Sequence, residues 1–150
     1  MAIRPSTSWR ARVDGEAREL ASGARDPSDA FMSQLFPESL LSATDEALGA
    51  FESDVRGLIE DRGRDKESGD EESKDNGRDG ERVFGAIERV VLVLNGINDG
   101  HGGAGYETQE REELCLYIDQ TLTEHGIDVP ALAAGRGIGR AEITDDWRDW

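Results

Sequence analysis

Apolar positions along the chain fall into helical stripes, separated by polar stretches that differ sharply in length. From Ser39 to Glu60, Leu41, Leu48, Phe51, Val55, Leu58 and Ile59 recur mostly at three- and four-residue steps. That spacing predicts a helix with one buried stripe. Gly49 and Gly57 each weaken it by about 1 kcal/mol relative to alanine. Glu81 to Asp99 predicts the strongest core helix, with Val83, Phe84, Ile87, Val90, Val91, Leu94 and Ile97 in register. Leu92 and Val93 widen its stripe, so burial on more than one side is expected. The β-branched run from Val90 to Leu94 also suits a buried strand; length and periodicity select the helix.

Between these two helices, Asp61 to Arg82 contains no aliphatic or aromatic residue. Nothing there offsets an ordering cost of about 1–2 kcal/mol per residue, so a disordered, charged linker is expected over 61–82. Ahead of the first stripe, a short helix is expected around Gly15–Ser22. Asp26-Pro27-Ser28-Asp29 then reads as a helix start, with Phe31, Leu35 and Phe36 on its face and Pro37 as its stop. After the core helix, Gly100–Gly105 reads as a loop. Thr108 is expected to cap a helix bearing Glu110, Glu112 and Glu113 near its positive end, with Leu114, Tyr117, Ile118, Thr121 and Leu122 inward. Gly126 ends that helix. A short capped helix from Asp128 and a last turn at Ile143–Trp147 complete the chain. There is no internal repeat. The expectation is an all-α fold, an irregular bundle of about four or five helices, in segments 1–60, 61–82 and 83–150.

Composition sharpens this picture. Only 36% of the 150 residues are hydrophobic and 33% are charged, so part of the chain is not expected to pack. No apolar run approaches the roughly 20 residues that cross a bilayer. No apolar stretch follows the early arginines, so no secretory signal is expected and a cytoplasmic location is. The single Cys115 excludes an intrachain disulfide and a zinc site of several thiolates. In an apolar helical pattern it reads as a small core residue. A catalytic thiol paired with His101 or His125 is the alternative, with no activating motif to support it.

A net charge of −16 argues against binding nucleic acid or an anionic membrane. Three explanations remain: adaptation to high salt, a patch for a basic partner protein, or imitation of a phosphate backbone. Lys66 and Lys74 are the only lysines, a usage that suits a GC-rich genome or a salt-adapted host.

Candidate chemistry is thin. The glycine-rich loop lacks the lysine and Ser/Thr of a P-loop, and the glutamates after it would repel phosphate. Asp99, His101 and Glu107 are ligand types for a divalent metal, but their spacing matches no closed site. His125 at a helix end has a sufficient role on the last carbonyls. Carboxylate pairs are too abundant to mark acid–base catalysis, and no serine elbow or HExxH is present. No cofactor and no metal are expected. Trp9, Trp147 and Trp150 read as a lid over a small core, or as interface anchors.

The block Val90–Asn95, the stretch Glu107–Cys115 and the tail Ile143–Arg148 together resemble small acidic bacterial immunity-type proteins that neutralise secreted toxins. The resemblance covers roughly the last 70 residues and implies a binding role. The leading expectation is a non-enzymatic protein that holds a basic protein partner through Tyr106, Glu110, Glu112, Glu113, Asp145, Asp146 and Trp147. A self-associating structural protein of a salt-adapted cell comes second, and a metal-dependent enzyme third.

Overall fold

The structure, a computed structural model, describes residues 3–30, 36–67, 76–101, 106–148 and 150, with side chains described outside 61–79. The fold is an all-α irregular bundle, and no strand occurs among the described residues. The helices are α1 (Pro5–Ser22), α2 (Glu38–Glu67), α3 (Asn76–Gly100), α4 (Thr108–Glu124) and α5 (Val129–Gly135). Short 3₁₀ turns lie at Pro27–Asp29 and Arg140–Glu142. No helix among the described residues is long and apolar enough to cross a membrane.

The pairing of α2 with α3 forms the centre. Leu40, Leu48, Phe51 and Val55 of α2 join Val83, Ile87, Val91 and Leu94 of α3 in one buried cluster. Helix α4 adds Leu114, Tyr117, Ile118 and Leu122 to it. Burial of these side chains is the main stabilising force, at roughly 1.5–3 kcal/mol for each large apolar residue fully removed from water. Helix α4 ends where Gly126 adopts a left-handed φ of 82°, and the His125 ring donates from Nδ1 to the Thr121 carbonyl at 2.7 Å. Asp128 caps α5 by accepting from the Ala131 N–H at 3.0 Å.

Several boundaries differ from expectation. Helix α1 is 18 residues long rather than a short piece at Gly15–Ser22. Its apolar content is too sparse to show as a stripe. Pro5 starts it, and Gly23, at φ 76°, stops it with a C-terminal cap bonded to Glu19 and Leu20. Asp26 caps only a 3₁₀ turn, by accepting from the Ser28 N–H; the expected continuation through Phe31 and Leu35 lies outside the described residues. The ends of the charged segment expected over 61–82 are helical, α2 running to Glu67 and α3 beginning at Asn76. Its centre, 68–75, lies outside the described residues. Glu107, not Thr108, occupies the cap position of α4.

One packing expectation is reversed. Leu92 and Val93 are each 50% exposed, so α3 is buried on one face and open on the other. A wide stripe signals burial only where a second layer exists to cover it, and none of the described elements does so here.

Candidate functional site

The seven residues expected at a contact surface divide into two groups. Tyr106 and Glu110 are buried, and Glu113 is half-buried and engaged inside the molecule. Glu112, Asp145 and Asp146 are exposed. Trp147 is half-buried against Phe84, ring centroids 6.3 Å apart. Tyr106 and Glu110 are therefore corrected as surface residues. Tyr106 turns inward because its ring packs between Trp9 and Trp150, and its hydroxyl pairs with Thr44 Oγ1 at 2.6 Å. Burial pushes its phenol up to about 12, with the Thr44 hydrogen bond opposing.

Tyr106 and Glu113 belong to the seat of α1. Trp9 is fully buried, stacked on Phe36 at 5.4 Å, and its Nε1–H donates to Glu113 Oε2 at 2.6 Å. Arg12 reaches the other oxygen of Glu113 at 3.2 Å. Along α2, Arg4 bonds Glu52 at 2.8 Å, while Arg10 bonds Glu38 at 2.9 Å and Asp45 at 3.1 Å. Ser6 donates to Asp45, and Tyr117 donates to Glu52. Arg4 holds the Glu52 carboxyl below the usual range, as Arg10 does for Glu38. Burial first, then the bond to Glu52, raises the Tyr117 phenol.

Of the outer group, Glu112 lines a groove of about 590 Å³ between α4 and the C-terminal tail. Arg111, Glu112, Cys115, Leu116 and Asp119 line one wall at helical spacing, and Arg140, Ile143, Thr144 and Arg148 line the other. Leu116 is 57% exposed, because positions 114, 117 and 118 take the core side of α4. The groove's guanidiniums have internal partners. Arg140 forks onto Asp119, both bonds at 2.6 Å. Arg148 bonds Asp145 at 3.1 Å and donates to Cys115 Sγ, also at 3.1 Å. Arg111 donates to Thr108 Oγ1 at 3.2 Å. Glu112 and Asp146 make no ion pair among the described residues and face solvent.

The other candidates find different places. Cys115 is half-buried beside the core, at 3.5 Å from Thr144 Oγ1. His101 lies between the Ile97 carbonyl at 2.8 Å and Ser39 Oγ at 2.9 Å. Both histidines thus bond to neighbours that belong to helix ends. Among the described residues no three His, Cys, Asp or Glu side chains come together to hold a metal ion. Sequence reasoning missed the groove's Leu116, Arg140 and Arg148, and the α1 arginines. The seven-residue spacing of Glu38, Asp45 and Glu52 was the signal available for the latter. No family model, curated protein or solved structure matches the chain.

Proposed function

We propose that the chain is a non-enzymatic interaction protein that holds a basic protein partner. The observation that carries this reading is the division of charge. Arginines are engaged in internal ion pairs, Arg4, Arg10 and Arg12 under α1 and Arg140 and Arg148 at the groove. In a chain of net charge −16, acids outside these pairs, Glu112 and Asp146 among them, are exposed. Glu112 lines the groove in which Leu116 stands exposed, and Asp146 is exposed on the tail segment that forms its other wall. Such a face offers long-range attraction to a cationic surface and an apolar contact once the two meet. On the resemblance to toxin-neutralising proteins, the partner is a basic toxin.

The test begins with capture from the cells that make the protein and continues with the purified partner. The double variant Glu112→Lys/Asp146→Lys is expected to slow association by about tenfold while the circular dichroism spectrum stays unchanged. Unchanged association would remove the α4–tail face from the reading.

A second reading has its own support. Leu92 and Val93 lie side by side on α3, half exposed, and suit a self-associating protein of a salt-adapted cell. Sedimentation in molar salt without a partner separates the two: a defined oligomer favours the second, a monomer the first.

A further inference from the structure

The first thirteen residues carry Arg4, Arg10 and Arg12 and no acid, in a chain whose net charge is −16. All three guanidiniums close on carboxylates of one seat, formed by Glu38, Asp45 and Glu52 on α2 with Glu113 on α4. The α2 acids are seven residues apart and so lie along one line of that helix. Helix α1 runs antiparallel to this line, Arg4 at Glu52 and Arg10 at Glu38. Its inward residues are Ser6, Trp9, Val13 and Glu16, of which only Trp9 is a fully buried large apolar side chain. The joint between α2 and α3 is a continuous apolar core. Helix α1 is held instead by charge and one aromatic anchor.

We propose that α1 is a built-in stand-in for the partner. Its seat recognises an arginine-bearing helix with one large aromatic residue, and a basic helix of the partner protein displaces α1 to occupy it. This deepens the basic-partner reading and rests on it. Glu112 faces the groove and its neighbour Glu113 holds Trp9 and Arg12, so the outer acidic face and the seat meet on α4. Encounter occurs on the outer face, and exchange follows at the seat. Because α1 is tethered, it competes at an effective concentration on the order of millimolar. A partner helix must bind more tightly than that, which makes α1 a threshold against weak, nonspecific cations.

The probe is a labelled peptide of residues 3–22 of this chain, added to the full-length wild type and to full-length Trp9→Ala. The variant, whose own α1 has lost its anchor, is expected to bind the peptide at least about tenfold more tightly than the wild type. A peptide with Arg4, Arg10 and Arg12 replaced by glutamate is expected not to bind. Equal binding to wild type and variant, with α2–α4 helicity intact, would overturn the proposal. Should Trp9→Ala fail to fold, amide exchange on the wild type decides. Exchange faster in α1 than in α3, and accelerated by salt, supports an exchangeable seat. Exchange of α1 in step with α3, insensitive to salt, refutes it. Failure of the outer-face charge reversal combined with peptide binding would remove the outer-face reading and keep the seat; the converse would overturn the seat alone.

Discussion

Leu92 and Leu94 stand two positions apart on α3 in opposite surroundings, one half exposed and the other completely buried. Truncating the buried one leaves a cavity in the apolar cluster. Leu94→Ala is expected to cost about 2–5 kcal/mol in reversible denaturation, and Leu92→Ala about 0.5 or less. Equal costs would mean that α3 is covered on both faces. Tyr106 offers a second residue-level test. Its hydroxyl pairs with the buried Thr44, so Tyr106→Phe leaves one hydroxyl without that bond and is expected to cost about 1–3 kcal/mol. Both residues also mark the limit of sequence reading. Periodicity gave α3 its helix and its inward residues, but whether its edge residues meet a second layer depends on tertiary packing. An aromatic beside an acidic helix start reads as surface until its ring is seen between two tryptophans.

At the scale of elements, α2, α3, α4 and α5 were legible because each carries an apolar stripe or a side-chain cap. Helix α1 was not, because its stability comes from partners distant in sequence: Arg4 with Glu52, Arg10 with Asp45, Trp9 with Glu113. The candidate surface was half legible for the same reason. Exposed acids such as Glu112 and Asp146 could be named from sequence, whereas the groove depends on how the tail crosses α4. The ion pairs also give α1 a pH dependence. Folding lowers the carboxyl pKa values of Glu52 and Glu38, so their stabilising contribution is complete above the ordinary value near 4.5. It is lost as pH falls through the lowered values. Acidification is therefore expected to remove α1 first, below about pH 4, as a separate ellipticity loss of a size appropriate to 18 residues. One cooperative acid transition would show that α1 is no weaker than the core.

For the whole molecule, the question is what an excess of carboxylate accomplishes. The internal pairs explain where many arginines go, and the remaining acids give the surface its sign. Attraction between such a surface and a cationic partner works through solvent and is screened over about 10 Å at 0.1 M salt and about 3 Å at 1 M. An apolar contact at Leu116 does not weaken in this way. The most direct measurement is the association rate and affinity of the purified partner across an ionic-strength series from about 0.05 to 1 M. The association rate is expected to fall by about tenfold or more over that range, while dissociation changes far less. An association rate indifferent to salt would contradict it, and would leave the acidity as surface chemistry without a role in recognition.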